Sequence, residues 1–195
     1  MNSSSINNCE KQQDEIPAET LRFVKNFVHF ESLPRVRHDS LVGIGGKLKE
    51  KNEFFVVEEI PLWAPDGKGS NCVVRIRRNG ATTKAVQEKL ARLFRSKTIH
   101  IGYAGLKDKI GICTQNFSIN FQTGLTKFSC LPSDQEIKST IESDQSEPVL
   151  ECVEVCGFNS KKLKTGQLKG NTFKLLVTNL DNSVTESVKL VKLIV

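Results

Sequence analysis

Six short apolar runs, each bounded by turn-forming residues, are the feature that most constrains the fold of this chain. The clearest is "CVVRIRR" at residues 72–78, in which Arg75 and Arg77 alternate with Val74 and Ile76. Alternation of this period is typical of a half-buried strand. Short strands with hairpin-like connections predict an α+β fold, with a mainly antiparallel mixed sheet and flanking helices. The other runs occupy residues 54–60, 97–103, 114–121, 149–158 and 172–179.

Helical spacing is found in two segments between the N-terminus and the last predicted strand. Residues 19–31 carry apolar side chains at helical spacing, which predicts a short amphipathic helix. A second helix is predicted from a cap at Thr82 or Thr83 to about Phe94. The acidic segment 132–148 is predicted to be a loop between the fourth and fifth strands.

The two ends of the chain differ from its middle. Residues 1–40 are predicted to be a polar N-terminal extension, partly disordered with a short helix. Near the other end, Ser183 and Glu186 have the spacing of a capping box, which predicts a helix start before a new apolar pattern. We therefore expect residues 181–195 to be the start of a further helix that is cut short, in a chain truncated within a larger domain. Residues 41–180 remain as the folded domain.

Charge is segregated along the chain, whose formal net charge is +6. Residues 41–115 carry a net charge of +7 and residues 161–195 carry +5, whereas residues 116–160 between them carry −5. Two basic blocks that flank an acidic one favour a surface that binds a polyanion. The alternative is a set of solvated basic faces without a partner.

The sequence also argues against a membrane protein and a metal protein. No apolar run approaches the ~18 to 20 residues that span a membrane, and the N-terminus has no apolar signal segment. We therefore expect an intracellular protein, with nucleus or cytoplasm left open. The six cysteines are scattered without the spacing of metal ligands, so no metal site is predicted.

The stretch "YAGLKDK", residues 103–109, presents a single acid, Asp108, between Lys107 and Lys109. One interpretation is a charged turn in solvent. The other is a carboxylate that nearby cations keep ionised so that it acts as a nucleophile. The local pattern alone does not decide between them.

Three stretches together resemble one family. In their order and approximate spacing they resemble the TruD-type RNA pseudouridine synthases, across about residues 45–180. The resemblance implies that residues 41–180 are part of a catalytic domain that isomerises uridine to pseudouridine in structured RNA, with tRNA as the expected substrate. It implies neither a metal nor an organic cofactor. The stretches are "LKEKNEFFVVEEI" (48–60), "YAGLKDK" (103–109) followed by Gln115, and "KLKTGQLKGNTF" (162–173).

Two other functions stay open beside this one. The first is a truncated, non-catalytic RNA-binding fragment of such an enzyme. The second is a basic interaction domain unrelated to RNA. Loss of turnover without loss of binding in Asp108→Asn would separate the enzyme from the fragment, and salt-insensitive binding would count against both RNA hypotheses.

The resemblance assigns the catalytic roles. The catalytic aspartate of the family falls on Asp108, and its active-site lysine falls on Lys49. The counterion of Asp108 would then be either one of the adjacent lysines, Lys107 and Lys109, or Lys49 brought close by the fold. Side chains next to one another on an extended turn point apart, which favours Lys49.

Substrate-binding roles fall on Phe55, Asn171 and Phe173. The resemblance implies that Phe173 stacks on a base extruded from the RNA. Asn171 offers both a donor and an acceptor to a pyrimidine edge or to a carboxylate. Without the resemblance, both phenylalanines would be assigned to the core, and Asn171 to a turn. The residues expected to contact RNA phosphates are Arg75, Arg77, Arg78, Lys107, Lys109, Lys162, Lys164 and Lys169.

The sequence departs from the family pattern shortly after Asp108. Where family members often carry Ala, a hydrophobe and Thr, this chain has Gly111, Ile112 and Cys113. The missing hydroxyl would hold the turn that carries Asp108, and Thr114 is the expected replacement. Family members are also longer, so we expect part of the sheet to be missing, with exposed edges and apolar faces.

Overall fold

The computed structural model describes residues 45–180 of the protein. The helix predicted at residues 19–31, the N-terminal extension and the helix start at residues 181–195 therefore lie outside the described residues. The elements in chain order are β1 (Gly45–Lys47), a 3-10 turn (Asn52–Phe54), β2 (Phe55–Pro61), β3 (Asn71–Asn79), α1 (Thr83–Leu93), a 3-10 turn (Thr98–His100), β4 (Ile101–Tyr103), β5 (Ile112–Asn120), α2 (Asp134–Glu142), β6 (Leu150–Asn159), β7 (Leu168–Leu175) and β8 (Thr178–Leu180).

Six strands form the main sheet, in the order β6-β3-β5-β2-β7 with β4 beside β5. One edge of β5 is shared: β2 pairs with residues 112–114 and β4 with residues 117–119. The β2–β5 pair is parallel, whereas the other pairs of this sheet are antiparallel. The predicted α+β fold with a mainly antiparallel mixed sheet is thus confirmed. Strands β1 and β8 pair with each other in a separate two-stranded sheet.

The hydrophobic core lies between this sheet and the two helices. Helix α1 begins after Thr82, whose side chain accepts a hydrogen bond from the Ala85 backbone N–H, as expected of an N-cap. Val86 and Leu90, four residues apart on one face of the helix, are fully buried against β3 and β5. Burial of an apolar side chain of this size contributes about 1.5 to 3 kcal/mol. The core therefore anchors α1 against the sheet.

Helix α2 occupies part of the segment that was predicted to be a loop, and that prediction is wrong. Ser133 and Glu136 form a capping box at its start. Ile137 and Ile141, one turn apart, are fully buried in the core. The segment is mostly acidic and polar, and only two apolar residues form the buried face of the helix, so its helical pattern was not recognised.

A buried lysine connects α1 to the loop that follows α2. The Nζ atom of Lys89 donates to the carbonyl oxygens of Asp144 at 2.9 Å, Ser146 at 2.5 Å and Pro148 at 2.9 Å. Burial lowers the pKa of Lys89, and the nearby Asp144 carboxylate opposes that shift. Three carbonyl acceptors satisfy all three N–H donors of the ammonium group.

Two predicted strands differ in their bounds. The run at 97–103 is a 3-10 turn followed by the three-residue strand β4. The run at 172–179 is divided between β7, which begins earlier, and β8. Within residues 45–180, neither helix has the length and apolar character to span a membrane.

Candidate active site

One face of the sheet collects the side chains that were predicted from three separate stretches. Alternation along β2 puts Phe55 and Glu59 on the same face. In the register with β7, Glu59 lies opposite Asn171, and Phe173 lies two residues further along. On the other side of β2, Cys113 of β5 belongs to the same small buried cluster as Phe55. The family-matched positions of β2 and β7 therefore share one surface.

The connection from β4 to β5, residues 104–111, covers part of this surface and borders a small cavity. Its volume is about 160 Å³. Asp108 stands at its wall, together with Phe55, Asn171 and Phe173 of the predicted substrate-binding set. The full lining consists of Phe55, Val57, Leu106, Lys107, Asp108, Asn171 and Phe173.

Lys49 is the lysine that the fold brings to Asp108. Its Nζ atom lies 2.6 Å from Asp108 Oδ2 and 3.9 Å from the centroid of the Phe55 ring. The backbone of Lys49 adopts φ +58°, in the left-handed region that costs a non-glycine residue about 1 to 2 kcal/mol. Both side chains of the pair are partly in solvent, where an ion pair contributes little to stability. The pair places a positive charge beside the Asp108 carboxylate.

Lys107 points away from Asp108, into the protein. Its Nζ atom lies 2.9 Å from Glu59 Oε2, and the two side chains are 4% and 1% exposed. Glu59 Oε1 also accepts a hydrogen bond from the Asn116 backbone N–H at 3.2 Å. The expectation that Lys107 contacts an RNA phosphate does not fit this geometry, because its ammonium group is buried and paired.

Buried polar groups hold the connection that carries Asp108. The Lys107 backbone N–H donates to Thr83 Oγ1 at 2.9 Å, and the Thr83 hydroxyl donates to Gln115 Oε1 at 3.1 Å. Gln115 Nε2 in turn donates to the Gly105 carbonyl at 2.5 Å. Helix α1 and strand β5 thus fix the backbone on the N-terminal side of Asp108.

Cys113 takes the place of the threonine that the family pattern has at this position. Its Sγ atom donates to the Asp108 carbonyl oxygen at 3.7 Å, and burial raises the pKa of the thiol. Thr114, the expected replacement, follows Cys113 on β5 and therefore faces the other side of the sheet. The expected compensation by Thr114 is wrong, and the contact is made by the thiol itself.

Gly111 closes the same connection where it enters β5. Its φ is +140°, and a Cβ added there would meet the Phe55 carbonyl oxygen at 2.6 Å. Its backbone N–H donates to Asn52 Oδ1 at 3.1 Å. The close approach of two backbones explains why this chain has glycine at this position.

The cavity offers an unpaired acceptor and an accessible aromatic ring. Asn171 Oδ1 is buried and receives no hydrogen bond from the residues that the structure describes. Phe173 is 54% exposed, whereas Phe55, with a ring centroid 6.1 Å away, is 8% exposed. Phe55 is therefore a core residue that also forms a wall of the cavity, and Phe173 is not a core residue.

The predicted phosphate-binding arginines do not gather at Asp108. Arg78 is 2% exposed and donates to the Ala81 carbonyl at 2.9 Å and to Thr83 Oγ1 at 3.2 Å, so its expected phosphate contact does not fit the structure. Arg75 and Arg77 alternate with Arg78 along β3 and lie on the opposite face of the sheet. They pair there with Glu58 at 3.7 Å and Glu151 at 3.2 Å.

The predicted lysines have different surroundings. Lys109, Lys164 and Lys169 are exposed. Lys162 is half-buried, and its Nζ atom donates to the Ile99 carbonyl oxygen at 2.5 Å. Two exposed lysines lie close to cavity residues along the chain and remain available to an anion: Lys109 follows Asp108, and Lys169 lies two residues before Asn171.

Sequence reasoning missed Glu59, Thr83 and the role of Cys113. A signal for Glu59 was present, because it continues the inward alternation of Phe55 and Val57 and is therefore a buried acid that needs a partner. Thr83 was considered as a helix cap, a role that belongs to Thr82. No local pattern indicates that its hydroxyl meets a loop 24 residues further along.

Comparison with known proteins identifies the relationship. A family model described as tRNA pseudouridine synthase D (TruD) matches residues 36–195. A tRNA pseudouridine synthase D from Aliivibrio fischeri (strain MJ11) is 32% identical over 135 residues, which are 69% of this chain and 35% of that protein. One from Thermus thermophilus is 31% identical over 164 residues, 83% of this chain and 41% of that protein.

A solved structure agrees with these sequence matches. The chain resembles a crystal structure named for tRNA pseudouridine synthase D (TruD) from Methanosarcina mazei, with a TM-score of 0.63 and 27% identity. The likeness covers 78% of this chain and 31% of that one. The chain thus spans well under half the length of the relatives it matches. Because the family model covers most of the chain, the protein belongs to the TruD family.

Proposed function

We propose that this protein is an RNA pseudouridine synthase, with Asp108 as the nucleophile and residues 41–180 as part of the catalytic domain. The observation that carries the proposal is the Asp108 carboxylate, 2.6 Å from Lys49 Nζ, at the wall of a cavity that an exposed aromatic ring borders. A charged turn in solvent would need neither the cavity nor the buried contacts that hold the turn. The relatives named tRNA pseudouridine synthase D support tRNA as the substrate.

The reaction is an isomerisation, so it consumes no second substrate. The bond between uracil N1 and ribose C1′ breaks, the base turns within the cavity, and a bond forms between C5 and C1′. The proton on C5 is lost and N1 gains one. Asp108 assists either by attacking C1′, so that uracil leaves, or by attacking the uracil ring; both routes require an ionised carboxylate. Lys49 places a positive charge 2.6 Å from that carboxylate.

The cavity supplies the contacts that an extruded uracil needs. Phe173 lines the cavity and is exposed, and it would stack on the base, since enzymes that act on a base hold it against an aromatic face. The unpaired Oδ1 of Asn171 would accept the N3–H of uracil, a donor that cytosine lacks. Burial of an unpaired acceptor costs free energy that the bound base would recover.

Phosphate contacts are assigned to the exposed lysines that neighbour the cavity along the chain. Lys109 follows Asp108, and Lys169 precedes Asn171 on the strand that carries it. Arg75 and Arg77 would contact RNA only if the RNA also reached the opposite face of the sheet. Lysines near the extruded nucleotide position the backbone without reading its sequence.

A non-catalytic RNA-binding fragment is the second candidate, and one observation favours it. Among the described residues, β7 pairs on one side only, with β2, and Phe173 and Leu175 on it are each 54% exposed. The cavity is therefore open along this edge. An open cavity admits water, which weakens the electrostatic contacts on which the reaction depends.

An RNA assay decides between the two candidates. The purified 195-residue protein is incubated with a tRNA transcript, and pseudouridine is scored by chemical mapping. Asp108→Asn is run in parallel, with Asp134→Asn at the exposed start of α2 as the matched control. Product from the wild type and from the control, but not from Asp108→Asn, supports the enzyme. A folded protein that binds the transcript and yields no product contradicts it and favours the fragment.

A further inference from the structure

The residue before the nucleophile is held at both of its ends. We propose that Glu59 and Thr83 are positioning residues, which fix the side chain and the backbone of Lys107 and thereby direct the Asp108 carboxylate to Lys49. The inference rests on the proposed function for its effect on turnover. The predicted change in amide exchange within the connection at residues 104–111 does not depend on that function.

The side-chain end of Lys107 is fixed by β2. Glu59 is a buried acid whose Oε1 accepts the Asn116 backbone N–H at 3.2 Å, so its carboxylate is itself oriented by β5. Its Oε2 lies 2.9 Å from Lys107 Nζ. Removal of one partner from a buried ion pair leaves an uncompensated charge, which is strongly unfavourable. Conformations in which Lys107 turns outward are suppressed for the same reason.

The backbone end of Lys107 is fixed by α1. Thr83 is the first residue of the helix and is 1% exposed. Its hydroxyl accepts the Lys107 N–H at 2.9 Å and Arg78 Nη2 at 3.2 Å, and it donates to Gln115 Oε1 at 3.1 Å. A hydroxyl has one donor and two acceptor sites, and all three are used here.

These contacts decide where Asp108 points. With the peptide before Asp108 attached to α1 and the Lys107 side chain directed inward, the next side chain along an extended connection is directed outward. Lys49 lies on that outward side, 2.6 Å from the carboxylate. Loss of either attachment would let the peptide rotate and separate the carboxylate from Lys49.

The test compares Thr83→Val, which removes the hydroxyl at nearly constant volume, with Thr83→Ser, which keeps it. Thr114→Val is the matched control: Thr114 is 3% exposed on β5, and its hydroxyl makes none of the side-chain hydrogen bonds found within residues 45–180. We expect Thr83→Val to lower kcat by about 10- to 100-fold, the usual effect of a small misplacement, with KM nearly unchanged. Thr83→Ser and Thr114→Val should stay close to wild type.

Amide hydrogen exchange supplies a readout that needs no turnover. The Lys107 amide, whose partner is the Thr83 hydroxyl, should exchange faster in Thr83→Val and at the wild-type rate in Thr114→Val. A folded Thr83→Val with the kcat of Thr114→Val would overturn the inference in an active protein. If the wild type makes no pseudouridine, the proposed function fails. An unchanged Lys107 exchange rate in Thr83→Val would then overturn the positioning inference on its own.

Glu59→Gln is a second variant that tests the same inference if Thr83→Val does not fold. The amide retains an acceptor for the Asn116 N–H but removes the charge that pairs with Lys107. We expect the same loss of kcat without a matching rise in KM. A folded Glu59→Gln with wild-type kcat and wild-type exchange at Lys107 would overturn the inference.

Discussion

Cys113 Sγ donates a hydrogen bond to the backbone carbonyl of Asp108 across 3.7 Å. A thiol is a weak donor, and a hydroxyl at the same position would make a stronger bond. The contact nevertheless comes from a fully buried side chain on the strand that follows Asp108, so it limits the movement of the Asp108 peptide. This contact restrains the chain on the C-terminal side of Asp108, whereas Thr83 and Gln115 restrain it on the N-terminal side.

Substitution of Cys113 should therefore affect turnover more than stability. Cys113→Ala removes the contact, and we expect up to a fivefold loss of kcat, the equivalent of about 1 kcal/mol. Cys113→Thr should restore or exceed wild-type kcat, because the hydroxyl is the better donor. The control is Cys72→Ala, since Cys72 is equally buried on β3 but lies in the core between sheet and helices. Equal losses of kcat in the two alanine variants would contradict the prediction.

Lys49 should matter for chemistry and hardly for folding. Lys49→Met removes the counterion of Asp108, and we expect kcat to fall by at least about 10-fold, as for other residues that stabilise charge in the reaction. The free energy of unfolding should change by less than about 1 kcal/mol, because the pair is solvent-exposed. Single-turnover rates and urea denaturation measure the two effects. A variant with wild-type kcat would show that Asp108 does not need this partner.

Lys89, the buried lysine of α1, should matter for stability instead of turnover. Lys89→Met leaves three carbonyl oxygens without their donor, and we expect a loss of about 2 to 4 kcal/mol in the free energy of unfolding. Lys84→Met, at an exposed position of the same helix, is the matched control and should change stability by less than about 0.5 kcal/mol. Urea denaturation measures both, and similar losses in the two variants would contradict the role given to Lys89.

Stability should fall as the solution becomes alkaline. Burial raises the pKa of Cys72 from 9.0 to about 12, so the unfolded chain loses this proton at a lower pH than the folded one. The folded state then binds more protons between these values, and the free energy of unfolding decreases as pH rises through that window. From pH 8 to pH 10 the contribution of Cys72 is about 1 kcal/mol. Urea denaturation under reducing conditions measures it, and Cys72→Ala should decrease the slope; an unchanged slope would contradict the assignment.

RNA binding should distinguish the two faces of the sheet. Lys109→Ala and Lys169→Ala should each lower the slope of log K against log salt by about 0.7 to 0.9, the contribution of one phosphate contact. Arg77→Ala is the matched control, because Arg77 is paired with Glu151 on the opposite face. Fluorescence anisotropy with a labelled tRNA transcript at several salt concentrations measures the slopes. A larger effect of Arg77→Ala than of either lysine variant would place the RNA on the other face.

Local pattern predicted most of the sheet and helix α1, because alternation and capping act within a few residues. It failed at α2, where two isoleucines bury the helix although the surrounding composition is acidic and polar. Arg78 was expected to contact an RNA phosphate, although it lies on the same face of β3 as the buried Val74 and Ile76. The alternation of side chains along a strand was thus a stronger guide to burial than residue type.

The site could be predicted only as far as the family resemblance reached. Asp108 and Lys49 are 59 residues apart, and no local rule brings them together. The polar groups behind Asp108 depend on the meeting of β2, α1 and β5, which is a property of the tertiary fold. Glu59 is the exception, since a charged residue at an inward strand position already requires a partner.

The parallel pairing of β2 with β5 has a consequence for where the molecule tolerates change. Lys49 lies before β2 and Asp108 before β5, so both stand at the entry ends of strands that run the same way, with Val56 aligned to Ile112. Residues inserted at the exit ends, after Pro61 or after Asn120, leave the distance between ammonium and carboxylate untouched. A single residue inserted between Lys49 and β2, or between Asp108 and β5, would shift that distance by up to the rise of one strand residue, about 3.3 Å. Length variation is therefore expected after Pro61 and after Asn120 more than before β2 or β5.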